Sequence, residues 1–403
     1  MANLFWLCSG LTALGLVIYA LQIVAVKRSL APSTDDDQSC PPASLPPISV
    51  LKPLKGLDDN LFDNLDSFCR QSYQAYEIIF SLQDHNDPAY KIARMVKDRH
   101  PGKDIRIVIE SCSRGMNPKV NNLIPAYRAS RFDTVLISDS NVLVGPDYLR
   151  SIGRHLNDPS VGLVTSLIRG TGGRTFGSIF ENLHLNSFIV GSVCFLDRFL
   201  RMPCVIGKSM LMRKKDLETI GGLDAVKDVL AEDFIIGRNM HAAGRRVVVD
   251  NYLINNENQY WDIRRFLNRH TRWAKLRWKI GGARYLVELL ANPVFIACLP
   301  LIWSGFTGPA ITLALCAAVL KIAGDHHLGL RTGAALPYAA YLMVPVKDLL
   351  IGILWFVPLL SDTVIWRGNR YRIVEDTRLI PVEETGLLSW RYRLASTILE
   401  RFA

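Results

Sequence analysis

Twenty-three consecutive uncharged residues, Leu4 to Val26, dominate the start of the chain. At about 1.5 Å of helical rise per residue, such a run covers the roughly 30 Å hydrocarbon core of a bilayer. The expectation is a membrane-spanning anchor. A cleaved signal peptide is the rival reading. However, no basic residue precedes the run, it exceeds the usual apolar core of about 7–15 residues, and no small-x-small cleavage site is evident. Lys27 and Arg28 close the run, while Met1 to Asn3 carry no basic side chain. That asymmetry places the N-terminus outside and the next domain in the cytoplasm.

The 403 residues leave room for a catalytic domain and further membrane segments. Eight cysteines lie scattered without CxxC or zinc-type spacing, which argues against a disulfide framework and agrees with a reducing compartment. A net charge of +10 would attract either nucleic acid or an anionic membrane surface. With no zinc-finger spacing and no RNP-type aromatic motif, the expected partner is the bilayer and no nucleic acid.

Ala31 to Pro47, rich in Pro, Ser and Asp, reads as a linker. From Ile48, short β-branched runs alternate with helical stretches. Strands are expected at 48–53, 76–83, 104–110, 134–139, 161–167 and 245–249, and helices near 60–71, 88–99, 118–130, 146–156 and 232–243. This alternation predicts an α/β domain with a mainly parallel sheet, whose ligands bind at the carboxyl ends of the strands. From Asp262 to Tyr285, eight Arg or Lys face one acid and interleave with Phe266, Trp273 and Trp278, the pattern of an amphipathic helix on an anionic leaflet. Asn292 to Leu320 is uncharged but broken by Pro300 and Pro309, which predicts a tight helical hairpin. Ala335 to Leu360 is apolar except for Lys347-Asp348, a pair that either neutralises itself or marks a break at the interface. Two or three C-terminal spans follow. The expected organisation is an anchor (1–28), a linker (29–47), a cytosolic catalytic domain (48–260), an interface helix (261–285), transmembrane helices (286–361) and a cytosolic tail (362–403).

Three carboxylates fall where such a domain would use them: Asp84 after the second strand, Asp139 closing TVLISD, and Asp233 in AED at a helix start. Singly, each has a plain turn or cap role. Together they match the separate tasks of a nucleotide-sugar transferase: holding the nucleoside, neutralising the diphosphate and removing a proton from the acceptor hydroxyl. Arg269, Arg272 and Trp273 form RxxRW, with helical spacing that sets them on one face. A basic juxtamembrane helix explains that pattern equally well, although arginine recognises diphosphate oxygens closely.

In this order and spacing the motifs resemble the ceramide glucosyltransferase family, glycosyltransferase family 21, whose signature is three aspartates followed by (Q/R)xxRW. VLKPLKG (50–56), QDHNDPA (83–89), NPKVNNL (117–123), LMRKKDL (211–217), GGL (221–223), AEDF (231–234) and WRGNRYRI (366–373) are also similar to family segments. The resemblance implies a GT-A type Rossmann-like mixed sheet, a UDP-sugar donor, a Mg2+ or Mn2+ cofactor and inversion at the anomeric carbon. It implies that Asp84 contacts uridine, Asp139 binds metal and diphosphate, and Asp233 is the catalytic base. Pro53 would line the donor site, with Arg269, Arg272 and Trp273 securing the diphosphate and lining the acceptor entrance. Lys119 and Asn122 would sit near the nucleotide, a helix N-terminal turn being the alternative.

Two departures stand out. Asp139-Ser140-Asn141 replaces a full DxD, so one carboxylate with a weaker Asn neighbour would hold the ion and metal affinity would be modest. Vertebrate members carry a histidine in the region that here reads LNSFIVGS (185–192) and has Phe188, which leaves the acceptor open. His184 nearby reads as a packed or exposed side chain, and Cys204 as a small buried residue. The leading expectation is glucosylation of the ceramide primary hydroxyl by an integral membrane enzyme of sphingolipid metabolism. A compact chain without targeting signals suits a bacterial inner membrane. Hopanoid or diacylglycerol acceptors keep the chemistry. A processive polysaccharide synthase shares the motifs but needs more spans to enclose a polymer.

Overall fold

The computed structural model describes residues 2–31, 45–202, 204–366 and 369–382. Most of the expected linker, Cys40 and the tail beyond residue 382 lie outside the described residues. The elements run α1 (Ala2–Ser29), β1 (Ile48–Pro53), α2 (Leu61–Cys69), β2 (Tyr76–Leu82), α3 (Ala89–Arg99), β3 (Ile105–Ile109), α4 (Pro118–Ala129), β4 (Thr134–Ile137), β5 (Val142–Leu143), α5 (Tyr148–Gly153) and β6 (Val161–Thr171). They continue with α6 (Phe176–His184), α7 (Val190–Leu200), β7 (Met210–Arg213), α8 (Lys214–Thr219), α9 (Glu232–Ala242), β8 (Arg246–Glu257) and α10 (Ile263–Gly281). Last come α11 (Pro293–Ser304), α12 (Gly308–Arg331), α13 (Tyr338–Tyr341), α14 (Val344–Leu354), α15 (Val357–Leu360), β9 (Thr363–Trp366), β10 (Asn369–Ile373) and β11 (Leu379–Pro381). The chain divides into two compact units, one of Lys27–Thr171 and Val193–Glu257, the other of Met1–Val26, Gly172–Ser192 and Asn258–Ala403.

The first unit is built on an eight-stranded sheet of order β3-β2-β1-β4-β7-β6-β8-β5. β1 pairs in parallel with β2 and β4, β2 with β3, and β6 with β8, whereas β7 runs antiparallel to β4 and β6, and β5 to β8. The sheet is therefore mixed, as the family resemblance implied, and not mainly parallel, as the strand–helix alternation alone predicted. The two reversing strands carry too little signal to read: β5 is two residues long, and the four residues of β7 run straight into the helical Lys214–Thr219. β6 and β8 extend past their apolar runs to Thr171 and Glu257. There polar side chains are held by backbone pairing and by contacts such as Arg169 Nε donating to Asn255 Oδ1 at 2.6 Å.

All six β1 positions are buried, as a central parallel strand covered on both faces requires. Against Leu51, Ile79, Ile137 and Leu163, α4 packs Val120 and Leu123, and α9 packs Ile235, Ile236 and Met240. Asn117 caps α4, its side chain accepting from Lys119 N and Val120 N, and Pro118 occupies the first turn where no amide donor is needed.

In the second unit, Asp262 caps α10 by accepting from Arg265 N at 2.7 Å. Gly305, left-handed at φ 65°, turns α11 into α12. Glycines bring helices together: a Cβ on Gly324 would lie 2.4 Å from Tyr19 of α1, and one on Gly352 2.1 Å from Phe295 of α11. Lys347-Asp348 is neutralised and does not mark a break. Lys347 Nζ lies 2.8 Å from Asp348 Oδ1 and 3.6 Å from Asp325 Oδ2, Lys321 pairs with both aspartates, and Tyr19 donates to Asp325 Oδ1 at 2.6 Å.

Among the described residues, four helices are long and apolar enough to cross a membrane: Ala2–Ser29, Phe176–Leu200, Gly308–Arg331 and Tyr338–Leu360. Phe176–Leu200, which comprises α6, a π-turn and α7, joins β6 to β7. Those strands are hydrogen-bonded neighbours.

Candidate active site

The site begins where β4 ends. Lys52, fully buried on β1, donates to Asp139 O at 2.6 Å and Ser138 Oγ at 3.3 Å, with its ammonium 3.8 Å from the centre of the Phe68 ring. Burial depresses its pKa well below the usual lysine value. This anchor, with Ser140 Oγ donating to Asp58 Oδ2 at 2.5 Å, fixes the loop that presents Asp139 and Asn141.

Two lysines converge on that loop. Lys119, in the first turn of α4, lies 2.8 Å from Asp139 Oδ1 and 2.8 Å from Glu232 Oε1, and donates to Gly207 O at 2.9 Å. Lys208 donates to Asn141 Oδ1 at 2.6 Å and lies 3.3 Å from Asp139 Oδ2. Burial alone would raise the Asp139 pKa, but the two ammonium groups outweigh it and hold the carboxyl ionised, well below its ordinary range. Lys119 is likewise held charged, Asp139 and Glu232 overcoming its burial.

Asp233, at the start of α9, stands differently. Its Oδ2 accepts from Gly207 N at 2.9 Å and its Oδ1 from Phe234 N at 2.8 Å. Burial, then the neighbouring Glu232 carboxylate, push its pKa up to about 6. Two carboxyls beside one lysine are thus driven apart: Asp139 is a fixed anion, and Asp233 is poised to take a proton near neutrality. Gly207 has no room for a side chain, since a Cβ would lie 2.6 Å from Asp233 Oδ2.

Of the residues expected from sequence, Asp139, Lys119 and Asp233 share this cluster. Asp84 lies exposed at the carboxyl end of β2, its Oδ1 accepting from Asn86 N at 2.8 Å. Pro53 ends β1 buried. Asn122 is 1% exposed, donates to Leu54 O at 2.8 Å and accepts from Gln83 Nε2 at 2.5 Å, so its side chain ties α4 to the ends of β1 and β2. Arg269, Arg272 and Trp273 belong to the second unit. There the Arg269 guanidinium lies 4.4 Å from the Trp273 ring centre and 5.1 Å from that of Trp261, and 3.4 Å from Glu181, which also pairs with His270 at 2.9 Å. His184 is buried and stacked on Phe188 at 4.8 Å. The Cys204 thiol is pushed up to about 11 by burial, which keeps it protonated.

Lys208, Glu232 and Lys52 were not anticipated. Lys208 sits in an irregular loop with no periodic signal, and Glu232 was visible in AED only as the neighbour of Asp233. Lys52 and Lys208 gain meaning as the cations that face the loop after β4, and Glu232 as the second carboxylate on Lys119.

No group of three or more His, Cys, Asp or Glu side chains suited to a metal occurs among the described residues. Asp139 and Asn141 nevertheless supply hard oxygen donors, and a small dication bound through one carboxylate characteristically takes its other ligands from substrate phosphates and water. The residues fit Mg2+ or Mn2+ on those terms.

A mixed sheet of this order, with its charged side chains gathered beyond β4, is a GT-A type glycosyltransferase fold. The mannosyltransferase PcManGT from Pyrobaculum calidifontis, solved with GDP-Man and Mn2+, shares it at a TM-score of 0.52 and 18% identity, over 88% of this chain and 99% of that one. With helices long enough to cross a bilayer, the chain is a membrane glycosyltransferase. Residues 7–379 match glycosyl transferase family 21, and the chain belongs to that family. Ceramide glucosyltransferase 1 of Caenorhabditis elegans is 27% identical over 345 residues, 83% of this chain and 73% of the relative. Ceramide glucosyltransferase 3 of the same nematode is 25% identical over 379 residues, covering 90% and 80%.

Proposed function

We propose that the chain transfers glucose from UDP-glucose to the primary hydroxyl of ceramide with inversion at the anomeric carbon. The observation that carries this reading is Asp233, a carboxyl raised to about 6 beside the Lys119–Asp139 pair, in a family 21 chain whose relatives are named ceramide glucosyltransferases. Asp233 accepts the proton of the attacking hydroxyl, its carboxylate aimed by the Gly207 and Phe234 amides. As the new carbon–oxygen bond forms, the bond from sugar to phosphate breaks and UDP leaves with its electron pair. Lys119 and Lys208 supply positive charge toward that diphosphate. A Mg2+ or Mn2+ ion held by Asp139, Asn141 and donor oxygens would neutralise further charge there. Family resemblance supports uridine contact by Asp84, a donor-lining role for Pro53 and Asn122, and diphosphate and acceptor contacts by Arg269, Arg272 and Trp273.

The membrane arrangement belongs to the same proposal. Lys27 and Arg28 favour a catalytic domain facing the cytoplasm. Lys275 of α10 donates to Thr363 O of β9 at 2.5 Å, a contact that supports an even number of crossings between them and so favours two C-terminal spans over three. The two relatives named above are nematode proteins, and the expected bacterial inner membrane draws nothing from them.

The test is a screen of UDP-glucose, UDP-galactose and UDP-GlcNAc against ceramide, diacylglycerol and hopanoid acceptors, with Asp233→Asn as control and mass spectrometry as readout. Glucosylated ceramide is expected. The variant should lose about 10²–10⁴ in turnover while still binding UDP. Wild-type turnover in Asp233→Asn would overturn the base assignment.

A further inference from the structure

We infer that the Lys208 ammonium holds the cation position between Asp139 and Asn141 in the free enzyme, so that the divalent ion enters together with the donor diphosphate, onto which Lys208 then swings. The inference rests on the proposed nucleotide-sugar chemistry. Lys208 Nζ reaches Asn141 Oδ1 at 2.6 Å and Asp139 Oδ2 at 3.3 Å, the same two hard oxygens that the loop after β4 offers to an ion. One cation bridging a carboxylate and an amide oxygen is the arrangement a bound dication would itself adopt. Both cannot occupy it, because like charges a few ångströms apart repel strongly in a half-buried site.

Charge balance gives the coupling its sign. Lys119 and Lys208 stand against Asp139, Glu232 and the largely ionised Asp233, so the free site carries only a small net negative charge. A dication alone would reverse the sign of that charge and set it against both lysines, whereas a dication with a diphosphate restores the balance. Lys119 is held on a helix by Asp139, Glu232 and the Gly207 carbonyl. Lys208 hangs from the irregular loop before β7, on a four-carbon stem long enough to move from carboxylate to phosphate. Substitution of Asn for the second carboxylate of a DxD is then compensated: the weak site is filled by the protein's own cation until substrate arrives.

Mn2+ binding to the full-length protein in nanodiscs, read by electron paramagnetic resonance with and without UDP, tests this. Wild type should bind Mn2+ at least tenfold tighter with UDP than without. Lys208→Met should bind Mn2+ alone at least tenfold tighter than wild type, with the UDP enhancement reduced. Lys208→Arg, which keeps the charge, should bind Mn2+ alone as weakly as wild type, and Asp139→Asn should abolish the gain seen in Lys208→Met. If Lys208→Met binds Mn2+ no tighter than wild type while wild type still binds UDP, the inference is wrong and the donor reading stands. If wild type binds no UDP with or without Mn2+, both fall.

Discussion

At the scale of single residues, the account turns on Asp233. A base must be ionised to act, and burial beside Glu232 raises this carboxyl to about 6, compared with about 3.9 for an unperturbed aspartate. Because kcat/KM reports the free enzyme, its pH profile should fall away on the acid side with an apparent pKa near 6; a limb near 4 would show that another group or no base is titrating. Gly207 tests the same geometry from the other side. A Cβ there would lie 2.6 Å from Asp233 Oδ2, so Gly207→Ala must displace the carboxylate and should lower kcat on the order of 10²-fold with the fold intact by circular dichroism. Asp139 and Asp233 were legible in the sequence because each follows a strand or opens a helix in a motif. Lys208 was not, because a cation in an irregular loop acquires meaning only when the sheet brings it to Asn141.

At the scale of elements, the readable strands were those with β-branched runs bounded by turn residues, whether almost wholly buried, as β1, β2 and β4 are, or only partly so, as β3 and β8 are. β5 and β7 escaped because they are short and owe their conformation to their neighbours: β7 is wedged antiparallel between β4 and β6. In the second unit, α1, α10 and the helices after Asn292 were legible by composition and α6 was not, and the packing of all of them was hidden, since glycines say nothing about contact until a partner is known. Gly324 touches Tyr19 so closely that Gly324→Val should force α1 from α12. The expected cost is about 1–3 kcal/mol, read as a lowered Tm of the detergent-solubilised protein. An unchanged Tm would mean that the two helices are not held by this contact.

For the whole molecule, the fold and family make it a membrane glycosyltransferase, and the proposed chemistry asks that one hydroxyl of a bilayer lipid be glycosylated once per cycle. A UDP-sugar carries its glucose in the α configuration, so a single displacement assisted by Asp233 must leave it β-linked. The most direct measurement is proton magnetic resonance of the lipid product made from UDP-glucose and ceramide by the membrane-embedded protein, with released UDP counted alongside. One β-linked glucose per ceramide and one UDP per product is the expected result. An α-linked product, a polymer, or UDP released with no glycosylated lipid would contradict it.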